Sequence, residues 1–165
     1  MMKLVLAPNP ILKQRAEDWN FDIDANAAEL EVDMVMTMVV SKGIGLAANQ
    51  VGILKRVFAI RLKDQVPFCM FNPTIVKHES ILEDDSEGCL SFPNLFLKVK
   101  RYSSITAEYF DRQGKKRIIE LEGLDARCFQ HELDHLNGVC FTDEISPLKL
   151  AMAVKKQRKL NGRTK

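Results

Sequence analysis

His131-Glu132-Leu133-Asp134-His135 is the segment whose residue types and spacing point most directly to chemistry. On an α-helix, residues four apart return to nearly the same face, one turn along. Both imidazoles can then reach one cation, while Glu132 stands beside it without being needed as a ligand. A metal held this way lowers the pKa of a water molecule, and a neighbouring carboxylate can accept its proton. That is the chemistry of metal-assisted amide hydrolysis. The bare pattern also arises on ordinary helix surfaces, where His and Glu are common. Two of the chain's three histidines fall within it, which favours the metal reading. The remaining one, His78, sits between Lys77 and Glu79 and reads as a surface residue.

Two histidines are too few, because a catalytic site of this type takes three protein ligands and leaves a position for water. No further His or Glu follows at the spacing of the long metzincin pattern, so the third ligand must come from elsewhere. Cys89, in Glu87-Gly88-Cys89-Leu90-Ser91, is a candidate. Its alternative is the commoner fate of cysteine, a small buried apolar residue. A third segment, Gly43-Ile44-Gly45-Leu46-Ala47-Ala48-Asn49-Gln50, describes a backbone packed close against something. It lacks the third glycine of a dinucleotide fingerprint and the Gly-Lys-Ser/Thr of a P-loop. It reads either as a tight turn or as an edge on which an extended peptide pairs, with Gln50 offering an amide donor.

The elements that must position these residues can be sketched from pattern. Asp24 to Ser41 reads as a first long helix, capped by Asp24 and stopped by Gly43. Ala27, Leu30, Met34 and Met38 share one face, a stripe expected in the core. Val57–Leu62, Phe68–Phe71, Ile75-Val76, Ser104–Phe110 and Arg117–Leu121 read as strands, with Asp111-Arg112-Gln113-Gly114 as a hairpin turn. Glu79–Glu87 is acidic without periodicity and is expected to be a solvated loop. A second helix runs from about Leu124 to Asn137 and ends at Gly138. A third opens at Ser146-Pro147, a capping residue followed by proline at the first helical position. It carries Leu148, Met152 and Val154 among basic residues and is expected to be short. This order predicts an α+β fold, one domain over residues 1–165, with helices packed on antiparallel sheet.

With 165 residues, 46% of them apolar, the chain suits one compact domain. A net charge of +2 gives no case for DNA. No signal core or membrane-spanning run is visible, so the expected location is cytoplasmic. The four cysteines form no CxxC pair, and reduced thiols are expected.

Together the three segments resemble the peptide deformylases of bacterial type, phage-encoded ones included. Writing φ for an apolar residue, the family's motifs read G-φ-G-φ-A-A-x-Q, E-G-C-φ-S and Q-H-E-φ-D-H. This chain has GIGLAANQ at Gly43–Gln50, EGCLS at Glu87–Ser91 and QHELDH at Gln130–His135, in the family's order and spacing. The similarity extends from Pro8-Asn9-Pro10 through Phe71-Asn72-Pro73 to Ser146-Pro147-Leu148, almost the whole chain. It implies antiparallel sheets around a central helix that carries the HExxH. It implies hydrolysis of the N-formyl group from the formyl-methionine of new polypeptides, releasing formate. Cys89, His131 and His135 would hold one metal, usually Fe(II), with zinc, nickel or cobalt able to replace it. Glu132 would be general base and then acid. The Leu90 amide and the Gln50 side chain would stabilise the oxyanion. Ile44, Gly45 and Gly88 would border the substrate backbone, and Leu124 and Cys128, with Ile44, would line the methionine pocket. The basic C-terminal helix would contact the ribosome. At one position, seven residues after Cys89, many bacterial members carry Arg and this chain has Phe96. The difference bears on contacts to the peptide beyond its first residue, not on the metal site. The alternatives are a zincin-like metallopeptidase and a non-catalytic, metal-stabilised ribosome-binding module.

Overall fold

A computed structural model describes residues 1–24, 26–79 and 82–161. Helix α1 spans Ala27–Val40, and its cap is Asn26 rather than Asp24. The Asn26 side chain accepts from the amides of Ala28 and Glu29 at 3.0 and 3.4 Å. Asp24 instead accepts from the Asn20 amide at 2.6 Å, and two local acceptors so close in sequence cannot be ranked from composition. The helix ends on Lys42, which takes the left-handed conformation at φ 59°, one residue before the expected stop. Gly43 follows in a tight space, where a Cβ would sit 2.8 Å from Leu90 Cδ1 and 3.2 Å from the Gly45 carbonyl oxygen. Leu30, Met34 and Met38 are buried, as their stripe predicts.

Strands β1 (Gly45–Ala47), β2 (Val57–Ile60) and β3 (Phe68–His78) follow. Next come β4 (Leu82–Cys89), β5 (Phe92–Tyr102), β6 (Ser104–Phe110) and β7 (Lys116–Glu122). Five of them form an antiparallel sheet in the order β1-β2-β3-β6-β7, while β4 and β5 make a separate antiparallel hairpin. Helix α2 spans Gly123–Leu136 and packs against both units. The fold is therefore α+β, with antiparallel sheets around the helix that carries His131 and His135.

Alternation in β2 explains why the large sheet is covered on both faces. Phe58 and Ile60 join the cluster made with Ala126, Cys128 and Phe129 of α2. Val57 and Ala59 turn the other way, onto Leu30, Met34 and Met38 of α1. Each large apolar side chain so buried contributes roughly 1.5–3 kcal/mol.

Three expectations are corrected. The acidic stretch through Glu87 is not a solvated loop: Leu82–Cys89 is a strand, paired residue by residue with β5 from Leu82↔Tyr102 to Gly88↔Phe96. Residues 80 and 81 lie outside the described ones. The two short strands about Asn72-Pro73 are one strand, β3, because Asn72 absorbs the irregularity at φ 48° and exchanges two hydrogen bonds with the Trp19 backbone. The last helix, α3, is not short: Pro147–Asn161 has 15 residues against 14 for α1 and for α2. It is held because Leu150, Ala153 and Val154 pack on Leu95, Leu97, Val99 and Phe141. The 111–114 hairpin turn stands, with the Asp111 carboxylate accepting from the Gln113 and Lys115 amides. Among the described residues no helix is long and apolar enough to cross a membrane.

Candidate metal centre

Helix α2 presents His131, Glu132 and His135 toward the turn that ends β4. Two backbone clamps fix its position. Gln130 accepts from the Tyr102 amide at 3.0 Å and donates to the Tyr102 carbonyl at 2.9 Å, so it binds the end of β5 as another strand would. Near the other end, Asn49 Nδ2 donates to the His135 carbonyl at 2.6 Å. Cys89, the last residue of β4, then meets the two imidazoles. Its Sγ lies 3.2 Å from His135 Nε2, and one ligand atom from each of Cys89, His131 and His135 falls within 4.8 Å of the others. A cation held at about 2.0–2.3 Å by such atoms separates them by roughly 3–4 Å, so the cluster fits one metal with little adjustment. A thiol and two imidazoles form a donor set suited to iron or zinc and ill suited to magnesium or calcium.

Behind the cluster lies a buried network that sequence reasoning did not anticipate. Glu87 Oε2 accepts from His131 Nδ1 at 3.0 Å. Its Oε1 accepts from Arg101 Nε at 2.9 Å and from Arg127 Nη1 at 2.8 Å. Arg101 also pairs with Asp134. Burial pushes the Glu87 carboxyl up, but the hydrogen bonds from His131 and Arg101, with their charges, hold it at about 2. An ionised Glu87 therefore keeps a proton on His131 Nδ1, so that a cation at the cluster would be met by Nε2. Burial works against the protonated form of His131, yet before a cation binds its bonds to Cys89 and Glu87 lift its pKa to about 10, so a metal binding there has to displace the Nε2 proton. Burial, with His131 and Arg101 nearby, holds His135 well below the usual imidazole range, so it is a neutral lone-pair donor. The only sequence signal for this network was Glu87 itself, two residues and hence one strand period from Cys89.

Glu132 is buried, and its Oε2 has no hydrogen-bond partner in the protein. Burial pushes its pKa up to about 7, with the charge of His131 opposing and that of Glu87 adding. Gly45 makes room for it: a Cβ at Gly45 would collide with Glu132 Oε1 and lie 2.8 Å from Cys128 Sγ. Gln50 is held on both sides of its amide. Oε1 accepts from the Ala47 amide at 2.9 Å, and Nε2 donates to Ser91 Oγ at 3.0 Å while lying 3.4 Å from Cys89 Sγ.

A cavity of about 640 Å³ opens in front. Of the residues singled out from sequence, Ile44, Gly45, Gln50, Gly88, Cys89, Leu90, Leu124, Cys128, His131 and Glu132 all line it. His135 lies deeper, almost fully buried. The edge strand β1 borders the cavity through Gly45, and Ile44 just before it already gives its carbonyl to the Arg61 amide at 2.8 Å. His78 is exposed and stacked on Tyr102, away from the centre. All four cysteines are free thiols.

A thiol and two helix imidazoles closed behind by a charged network, and open in front to a cavity bordered by a strand edge, are the arrangement that a metal-dependent hydrolase needs. Comparison with known proteins narrows the class. The family model described as polypeptide deformylase matches residues 1–151. A peptide deformylase of Agrobacterium fabrum is 41% identical over 157 residues, 93% of this chain and 92% of the relative. The crystal structure of a peptide deformylase from Synechococcus elongatus, in complex with actinonin, superposes with a TM-score of 0.88 at 37% identity, covering 94% of this chain and 87% of that one. One from Legionella pneumophila also gives 0.88, at 36% identity over 99% and 97% of the two chains. The chain belongs to the polypeptide deformylase family, hydrolases that remove the N-formyl group from nascent polypeptides. The zincin-like and non-catalytic alternatives are set aside by that membership.

Proposed function

We propose that this chain, acting as one catalytic domain, deformylates nascent polypeptides with a single ferrous ion held by Cys89 Sγ and by His131 and His135 nitrogens. The observation that carries the reading is the convergence of those three ligand atoms within 4.8 Å beside a buried Glu132 oxygen that has no protein partner. When bound, the metal acidifies a water molecule and polarises the formyl carbonyl. Glu132 takes the proton from the attacking water and returns it to the leaving amine. Buried beside the cation and left with an unpaired oxygen, the Glu132 carboxylate is within reach of both the attacking water and the leaving amine. Gln50 Nε2, already turned toward Cys89, and the Leu90 amide stabilise the oxygen that becomes negative as the carbonyl is attacked.

The formyl carbon carries only hydrogen, and glycine backbone at Gly45 and Gly88 leaves a slot narrow enough to refuse an acetyl group. Ile44 and Gly88 border the peptide backbone as a neighbouring strand would. The methionine side chain lies against Ile44, Leu124 and Cys128. Burial, with Glu132 nearby, pushes the Cys128 thiol well above the usual range, so it stays neutral and suits an apolar guest.

The thiol ligand makes the site softer than a His₂Glu set and exposes it to oxidation. Zinc, nickel or cobalt fit the same donors, and iron is favoured here by the family resemblance. The work is placed in the cytoplasm, at the ribosome, with the exposed Lys149, Lys155 and Lys156 of α3 as contacts to phosphate.

Anaerobically purified protein should contain one metal ion per chain and release formate from formyl-Met-Ala-Ser. Cys89→Ala should lose stoichiometric metal. Full metal retention by that variant would remove Cys89 from the site. Absence of formate release by the iron-loaded parent protein would overturn the activity.

A further inference from the structure

Phe96 breaks the pattern of its strand. Along β5, Leu95, Leu97 and Val99 turn into the cluster beneath α3. The alternate positions Lys98 and Lys100 turn to solvent, paired across to Ser86 and Asp84 of β4. Phe96 belongs to this solvent-facing set by strand period, yet it is aromatic and 66% exposed. Its register partner is Gly88, and its ring lies over that glycine: a Cβ there would sit 2.7 Å from Phe96 Cε1.

Phe96 also lines the cavity, with Leu124 at 63% and Ile44 at 41% exposure. A lone exposed apolar side chain needs no explanation. Three that border one cavity form a patch of the kind that marks a binding surface. Lys42 is the one exposed charged residue among the described lining residues, so the mouth is mostly apolar.

We infer that Phe96 is a specificity-determining residue, whose ring receives apolar or aromatic side chains from the residues that follow the formyl-methionine. The inference rests on the deformylase reading of the cavity. With the formyl end at Cys89, Gly88 is one residue away, and an extended substrate advances about 3.3 Å per residue. The Phe96 ring extends from Gly88 to the exposed mouth of the cavity, so it borders the residues that follow the methionine, whose own side chain lies deeper, against buried Cys128. An apolar side chain entering there removes part of the Phe96 ring from water; an acidic one is desolvated against a ring that offers it no hydrogen bond.

The test uses iron-loaded protein and two peptide series, formyl-Met-X-Ser and formyl-Met-Ala-X, with X as Phe, Leu, Ser or Asp. In at least one series kcat/KM for Phe should exceed that for Asp by roughly fivefold, the order expected when part of an aromatic ring leaves water, with the difference carried by KM. Phe96→Ala should bring the ratio toward one, Phe96→Leu should keep part of it, and Phe96→Lys should turn it toward Asp. An unchanged ratio in Phe96→Ala would overturn the inference and leave the deformylase activity standing. No formate from any peptide with the unsubstituted protein would overturn the activity itself, and this inference with it.

Discussion

Inside the cavity, Glu87, His131 and Glu132 are nearly inaccessible to solvent, and three elements are cross-linked through them: β4 by Glu87, β5 by Arg101, and α2 by His131, Arg127 and Asp134. At the mouth, Phe96, Leu124 and Ile44 stand largely exposed. The inner wall is over-determined, since Glu87 is held from three sides at once, by His131, Arg101 and Arg127. The outer wall can change side chains at little cost to the fold. The proposed function puts the chemistry that needs fixed distances on the first, and the contacts that vary with the substrate on the second.

The sharpest way to break this contrast is Glu132→Ala. It should keep the metal and reduce formate release by about 10²–10⁴-fold, the usual contribution of general acid–base catalysis. Turnover within tenfold of the parent would show that another group moves the proton. Gln50→Ala should lower kcat by about 10²–10³-fold, because an oxyanion donor acts mainly in the transition state. Ser91→Ala is its control, for it removes the hydrogen bond that orients Gln50 Nε2 and leaves the donor in place. A Gln50 variant changed only in KM would make Gln50 a binding residue. Glu87→Gln comes next. It keeps the shape but weakens the hold on His131, so metal affinity should fall about 10–100-fold. Competition with a chelator measures this directly, and an unchanged affinity would mean that Glu87 serves the fold alone.

The inner wall was partly legible in the sequence, because HExxH and its glycine stop are local. Gly138 does end the helix, at φ 75°, and His131 and His135 do share a face. The partners of Glu87 were not legible. Arg101 lies 14 residues away and Arg127 lies 40 away, and only the pairing of β4 with β5 and the packing of α2 bring them together. Strand β4 itself was hidden by its acidic run, since Asp84, Asp85 and Ser86 face solvent while Glu87 turns inward. Strand β5 could have been found: Leu95, Leu97 and Val99 alternate with Phe96, Lys98 and Lys100 at strand period. That alternation would also have marked Phe96 as the apolar residue on the wrong face.

The smallest expected effect concerns α3, which shares features of both walls. One face, with Leu150, Ala153 and Val154, covers the cluster that includes Phe92 and reaches Cys89. Removing the helix after Ile145 would uncover that cluster and disturb the metal centre, so truncation cannot separate docking from catalysis. The other face carries exposed Lys149, Lys155 and Lys156. Arg158 and Lys159 continue the basic run in sequence, and Arg163 and Lys165 lie outside the described residues. Replacing the three exposed lysines by Gln removes their charge and keeps good helix formers, with stability expected to change by only about 0.5 kcal/mol per site. Formate release from free peptides should match the parent. If the helix docks on ribosomal RNA, co-sedimentation should weaken, and the slope of log K against log salt should become shallower by roughly 2, a little under one for each phosphate left unneutralised. Equal co-sedimentation of parent and variant at every ionic strength would leave these lysines as solvated charge, and any ribosome contact would then have to lie on another face.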